Sequence, residues 1–277
     1  MISKNNENEN IKNKKEKLMK LLDLNIGIKL DNNQKVIDLI KKEQYDIVAL
    51  QESMRKIEDT VLDRYDSSNR IKEQTNLQYD FFGALWFADH HEKNKVMRRD
   101  FGGLTEQGNE LLTNYPIIQV ENVFYYKKYA NFSDTTNFKK EDHPRAFIDA
   151  IIDVNGKKLQ IINVHGIWNE EKKGDKRTLL QAESILSHVR YDIPSIIVGD
   201  FNLLPHTKSI ELISEKMINL IEKYNIQSTR PSFDDGLDTG NVVCDYIFIN
   251  SKVKEKSFNV IKNTVSDHFP LVLEFEI

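Results

Sequence analysis

A single cysteine, Cys244, stands in 277 residues. One thiol can build neither a disulfide framework nor a cysteine-based zinc site. A reducing, cytoplasmic compartment is its natural setting. No apolar run approaches the ~20 residues that span a bilayer, and the N-terminus lacks the apolar stretch of a secretory signal. Positive charge is also short: 39 Lys and Arg face 43 Asp and Glu, a net charge of −4. Proteins that coat nucleic acid through its phosphates are usually basic, so a tight, non-specific coat is disfavoured. An enzyme whose bound metal ion supplies positive charge locally is compatible with this balance. Four catalytic signatures are missing too. Without His-Glu-x-x-His, zinc hydrolysis is disfavoured, and without Gly-x-Ser-x-Gly, acyl chemistry is. Without a Walker A loop or Gly-x-Gly-x-x-Gly, nucleotide-driven phosphoryl transfer has no cradle.

What is present reads as a soluble globular chain long enough for a large core, with 39% hydrophobic and 30% charged residues. Residues 1–17 form an Asn/Lys/Glu tract with little to bury, expected as a disordered polar tail. Residues 18–277 are expected to be one catalytic domain, with no internal repeat or linker. Its opening reads strand (ending near Asn25), helix (capped at Asn32 or Asn33), then strand (Asp46–Leu50). Residues 53–65 are expected to be helical, and Gln78–Phe87 and Ile117–Tyr126 to be strands. Residues 89–107 and 127–142 are expected to be long polar loops, with a strand over Glu110–Thr113. Asn155-Gly156 between two apolar runs predicts a hairpin of 145–154 with 157–164. Leu179, Leu180, Ala182, Ile185, Leu186 and Val189 predict a helix over 175–190. Strands at 242–249, 258–261 and 271–277 close the chain, with a loop over 226–241. This pattern predicts an α/β (α+β) fold with two mostly antiparallel sheets packed face to face and helices outside.

Ser195-Ile196-Ile197-Val198-Gly199-Asp200-Phe201-Asn202 is the organising stretch. Its β-branched run predicts a buried strand, and Gly199 lets the backbone turn. In extended chain, Asp200 and Asn202 share one side while Phe201 points to the core. Other polar residues also leave the ends of apolar runs: Asn25, Glu52, His165, Asp245, Asp267 and His268. Each alone has a structural explanation. Together these carboxylates, imidazoles and carboxamides can converge on one hard-cation site. Mg²⁺ takes oxygen ligands, keeps several waters and binds substrate phosphate, so the set points to magnesium-assisted hydrolysis.

Asn25, Gln51-Glu52, Gly199-Asp200-Phe201-Asn202, Asp245-Tyr246 and Ser266-Asp267-His268-Phe269-Pro270 together resemble the ordered signature of the endonuclease/exonuclease/phosphatase (DNase I-like) superfamily. The resemblance spans Asn25 to Pro270. It implies a four-layered α/β sandwich and a divalent-metal site, Mg²⁺ or Mn²⁺, held by Glu52 with Asn25 and Asp267. It also implies that Asp200 orients or deprotonates the attacking water and that Asn202 hydrogen-bonds a phosphoryl oxygen. His268 contacts the phosphate or acts as base, Asp245 fixes its tautomer, and His165 assists at the phosphate. The segment Asn163-Val164-His165-Gly166-Ile167-Trp168 departs from the apurinic-endonuclease pattern Asn-x-Tyr-x-Pro-Asn. Val243-Cys244-Asp245-Tyr246 departs from the Trp-Cys-Asp-Arg of inositol polyphosphate 5-phosphatases.

The expected activity is therefore Mg²⁺-dependent phosphodiester hydrolysis, nuclease-like, on nucleic acid or a related diester. The alternatives are a phosphoesterase acting on a phospholipid head group or small phosphoester, and a non-catalytic binder on the same scaffold. Arg98, Arg99 and Arg230 are candidates to clamp substrate phosphate. Arg145 is expected to serve the structure. Trp168 and Phe101 could stack a ring, with core burial as the competing reading.

Overall fold

The computed structural model describes residues 17–27, 33–90, 101–132, 143–231, 242–262 and 265–277. The expected tail and the residues Arg98 and Arg99 lie outside them, apart from Lys17. Among the described residues there are thirteen strands: β1 (Met19–Asn25), β2 (Ile47–Lys56), β3 (Tyr79–His90), β4 (Gly103–Thr113), β5 (Ile117–Tyr126), β6 (Ala130–Asn131), β7 (Arg145–Val154), β8 (Lys157–His165), β9 (Ser195–Asp200), β10 (Ile218–Asn219), β11 (Asp245–Ile249), β12 (Lys254–Val260) and β13 (Leu271–Glu276). The helices are α1 (Asn33–Glu43), α2 (Ser67–Gln74), α3 (Lys176–His188), α4 (Lys208–Ser214) and α5 (Leu220–Lys223). Seven strands form one sheet, in the order β12-β13-β1-β2-β4-β3-β6. Six form the other, β10-β11-β9-β8-β7-β5.

The apolar pattern explains the layers. On β1, Met19 and Leu21 face the core between the sheets, while Leu22 and Leu24 pack outward against Val36, Ile37 and Ile40 of α1 and Ile71 of α2. On β2, Ile47 and Ala49 go inward and Val48 and Leu50 outward. The second sheet meets them with Ile148, Ala150, Ile161 and Val198, and packs Ala182 and Ile185 of α3 and Ile213 of α4 into the same cluster. The result is the expected helix–sheet–sheet–helix sandwich. The Asn155-Gly156 hairpin pairs Val154 with Lys157, as expected.

Along β1 the inward face changes character: Met19 and Leu21 are followed by Asp23 and Asn25. A polar bridge crosses between the sheets at that depth. Gln51 Nε2 donates to Asp23 Oδ1 at 2.8 Å and to Asn163 Oδ1 of the facing sheet at 2.7 Å. Asn163 Nδ2 donates back to the carbonyls of Leu50 (3.0 Å) and Glu110 (2.9 Å). The polar end of the inter-sheet core lies against the site.

Two expectations are corrected. Residues 53–65 are not one helix: β2 continues to Lys56, and only Asp63–Tyr65 form a short 3₁₀ turn. Pairing with β4, from Ser53 opposite Gly108 to Lys56 opposite Thr105, overrides the weak local pattern. Helix α2 carries only Ile71 as an apolar anchor, too little for a periodic signal. The polar stretch 89–107 is also not loop throughout, because β3 runs to His90 and β4 starts at Gly103. Their ladder is backbone hydrogen bonding, which polarity of the side chains does not prevent.

Glu110 of β4 is fully buried and accepts hydrogen bonds from Ser53 Oγ (2.5 Å) and Ser68 Oγ (2.6 Å). Burial raises its pKa from 4.5 to about 7, against the pull of the two hydroxyls. Between those values the folded protein keeps a proton that the unfolded chain has released, so stability falls as pH rises across the window. The expected loss is about 3 kcal/mol between pH 4.5 and 7. Chemical denaturation at pH 5 and pH 8 should show that loss in the wild type and a much flatter response in Glu110→Gln. Equal slopes would contradict it.

Candidate active site

Strand pairing assembles the site before any side chain is considered. Parallel pairing puts His165 of β8 beside Asp200 of β9, and antiparallel pairing puts Asp245 of β11 on the other side of Asp200. On the facing sheet, Asn25 ends β1 beside Gln51 of β2. At Gly199 (φ +136) an added Cβ would sit 2.0 Å from the Val164 carbonyl oxygen, so close β8–β9 approach requires glycine there.

Glu52 is delivered by a bulge. Residues 51 and 52 both lie between the Leu50–Glu110 and Ser53–Gly108 pairs, so two residues oppose one on β4. Glu52 takes φ +57, in the left-handed region. A bulge re-aims a side chain at a sheet edge, and here it turns the carboxylate into the cleft. Its Oε1 lies 3.8 Å from His165 Nε2.

Asp200 is the hub. Its Oδ2 accepts from Asn25 Nδ2 at 3.0 Å and its Oδ1 from the Asn202 backbone N–H at 2.8 Å. Asn202 is not extended, as the sequence pattern predicts, but has φ +54, and the chain curls so that its amide reaches Asp200. Phe201 is fully buried in the core, as expected. His165 Nε2 and His268 Nε2 lie 4.0 and 3.9 Å from the same Oδ2.

The surroundings drive the two imidazoles in opposite directions. For His268, burial disfavours the cation, but the carboxylates of Asp245 and Asp200 outweigh it and hold the pKa well above its ordinary value. Its Nδ1 donates to Asp245 Oδ1 at 2.8 Å, and Thr229 Oγ1 donates to Asp245 Oδ2 at 2.6 Å. For His165, burial and then the Arg145 guanidinium hold the ring well below its ordinary value, and so neutral. Asp23, behind the hub, has its carboxyl pushed well above the ordinary value by burial and then by the charge of Asp245.

Seven of the expected residues come together. Glu52, His165, Asp200, Asn202, Arg230, Asp267 and His268 line one cleft of about 340 Å³, together with Gly27, Gln107, His143, Arg145, Trp168 and Lys172. Arg230 binds Asp267, donating from Nε to its carbonyl (3.1 Å) and from a terminal nitrogen to Oδ2 (3.2 Å). Arg145 is buried and donates to the Gly166 carbonyl at 2.7 Å, in line with a structural role. Phe101 packs edge-on against Tyr65 in the core, whereas Trp168 lines the cleft. Sequence reasoning missed Asp23, Thr229 and Lys172. A carboxylate inside the buried run of β1 is a signal for Asp23; Thr229 and Lys172 lie in irregular segments and carry none.

The donor set suits a hard cation. Glu52, Asp200 and Asp267 bring carboxylate oxygens to the cleft. A second grouping, Asp200, Cys244, Asp245 and His268, has potential ligand atoms within 4.8 Å of one another. It is poorly suited as a ligand set. Both Asp245 oxygens are taken, and burial pushes the Cys244 thiol up to about 12.

A family model described as "Endonuclease/Exonuclease/phosphatase family" matches residues 24–268, from the residue before Asn25 to His268 itself. The chain belongs to this family. Family members are in general phosphoester hydrolases and usually metal dependent. Solved structures with the same fold include a family protein from Leptotrichia buccalis, at 20% identity and TM-score 0.65, covering 94% of this chain and 100% of that one. A mannosyl-6-phosphatase from Bacteroides thetaiotaomicron matches at 15% identity and TM-score 0.64, covering 94% and 100%. D. rerio TDP2 complexed with single strand DNA product matches at 16% and 0.62, covering 94% and 99%. No curated protein matches. Among the described residues, no helix is long and apolar enough to cross a membrane.

Proposed function

We propose that this family member is a divalent-metal-dependent phosphodiester hydrolase of nuclease-like type. One observation carries the reading: Asp200 Oδ2 stands about 4 Å from the imidazoles of both His165 and His268, beside a cleft edged by Glu52 and Asp267. Glu52 and Asp267 would hold Mg²⁺ or Mn²⁺. Asn25 sits beside them, although its Oδ1 already accepts from the Gly27 N–H at 3.0 Å. The bound cation would neutralise charge on the phosphate and its leaving oxygen. Asp200 orients water in line with phosphorus and takes its proton. Protonated His268 and the Asn202 carboxamide donate to non-bridging oxygens as their charge grows. Asp245 keeps the His268 ring oriented. Neutral His165 lies against Glu52 and Asp200 and assists at the phosphate. Arg230, already bonded to Asp267, braces that carboxylate at the cleft wall.

A second reading is hydrolysis of a small phosphoester. The cleft volume of about 340 Å³ and the net charge of −4 favour it. The test is purified protein with Mg²⁺ or Mn²⁺ against single- and double-stranded DNA, RNA, sphingomyelin, phosphoinositides, sugar phosphates and a chromogenic diester. Metal-dependent hydrolysis is expected, with His268→Ala about 10³-fold slower. Equal rates in that variant would remove His268 from the site; hydrolysis confined to monoesters would decide for the second reading.

A further inference from the structure

Lys172 lies on the segment between β8 and α3, and its backbone is fixed in place. Its N–H donates to the Asn169 carbonyl at 3.3 Å, and its carbonyl accepts from Leu204 N–H at 2.9 Å. Leu204 is two residues past Asn202, so the segment bearing Lys172 is stitched to the one bearing Asn202. From there the Lys172 ammonium donates to Asn202 Oδ1 at 2.9 Å. Its neighbour Lys173 instead pairs with Glu171 at the surface.

A carboxamide has two ends of nearly the same shape and opposite hydrogen-bonding character. Which end faces the substrate decides whether Asn202 offers a donor or an acceptor to a phosphoryl oxygen. An ammonium only donates, so it accepts no amide N–H and selects the oxygen end. With Oδ1 held, Nδ2 turns toward Asp200 Oδ2 (3.3 Å) and the Gly166 carbonyl (3.4 Å). Both distances are longer than a good N–H···O bond, so these hydrogens can re-aim at a stronger acceptor. A flipped amide would set its carbonyl oxygen against the Asp200 carboxylate.

We infer that Lys172 is a positioning residue of the hydrolytic site, locking the Asn202 carboxamide with its NH₂ toward the phosphate. The inference rests on the reading of Asn202 as a phosphoryl-oxygen donor. Lys172→Met removes the ammonium and keeps most of the stem; Lys172→Arg keeps a donor of the same sign.

The test uses the ¹⁵N-labelled full chain, with the Asn202 side-chain NH₂ pair assigned by its loss in Asn202→Asp. In Lys172→Met that pair is expected to shift or split into two orientations, while other side-chain amides stay in place. Lys172→Arg is expected to keep it close to the wild-type position. In parallel, kcat/KM should fall about 10–100-fold in Lys172→Met, mainly through kcat, and recover to within a few-fold in Lys172→Arg. An Asn202 pair unmoved in folded Lys172→Met overturns the proposal, as does wild-type kcat. If the wild type hydrolyses nothing, the hydrolase reading fails, and the amide spectra still decide whether Lys172 orients Asn202.

Discussion

Asp200→Asn is expected to lower kcat/KM by about 10³–10⁴-fold while the protein stays folded. The replacement keeps the shape and removes the charge. Three donors converge on the carboxylate: Asn25 Nδ2, the Asn202 backbone N–H and Asn202 Nδ2. An asparagine has one acceptor oxygen where the aspartate has two, so at least one buried donor loses its partner, at a cost of about 1–3 kcal/mol. Relief of repulsion with the neighbouring Asp245 opposes that cost. The catalytic loss is larger, about 4–5 kcal/mol in barrier height, because the water loses its base and His268 loses one of two carboxylates that keep it charged. Initial rates measured beside a thermal melt separate the two effects. A folded variant within tenfold of wild type would mean that Asp200 does not handle the water.

Removal of divalent metal is the second large effect. EDTA should reduce hydrolysis to background, and Mg²⁺ or Mn²⁺ should restore it. Glu52→Gln should need at least about tenfold more Mg²⁺ for half-maximal rate. The reason is local geometry: the bulge at residues 51 and 52 turns this side chain into the cleft, and an amide would replace the proposed anionic ligand with a neutral one. Because a ligand that binds only the folded state stabilises it, Mg²⁺ should also raise the melting temperature of the wild type and do so less in Glu52→Gln. Full activity after chelation, or identical Mg²⁺ titrations, would contradict the assignment.

Some of this was legible in the chain. The apolar runs of β1, β2, β8 and β9 mark their strands, and the polar residue at each run's end marks a residue of the candidate site, because apolar side chains give way to buried polar ones where the core between the sheets meets the cleft. Short strands built from polar residues were not legible. Ser53–Lys56 and Thr105–Gly108 are strand because their backbones pair with each other, and pairing partners some 50 residues apart leave no local period. Helix α2 was invisible for a different reason: with one apolar anchor, Ile71, it has no period to read.

The stretch Gly199-Asp200-Phe201-Asn202 shows where the two kinds of information divide. Sequence by itself determined that a buried strand ends in a carboxylate and a carboxamide, that Phe201 returns to the core, and that Glu52, His165, Asp245 and His268 end or adjoin other apolar runs. Only the tertiary structure decided that Asn25, 175 residues away, bonds Asp200. The same is true of the left-handed turn at Asn202, the ammonium bonded to its Oδ1, and the two histidines within about 4 Å of one carboxylate oxygen. The physical reason is that amide orientation and proton affinity are set by burial and by charges within a few ångströms, and those neighbours are brought together by sheet pairing rather than by position along the chain.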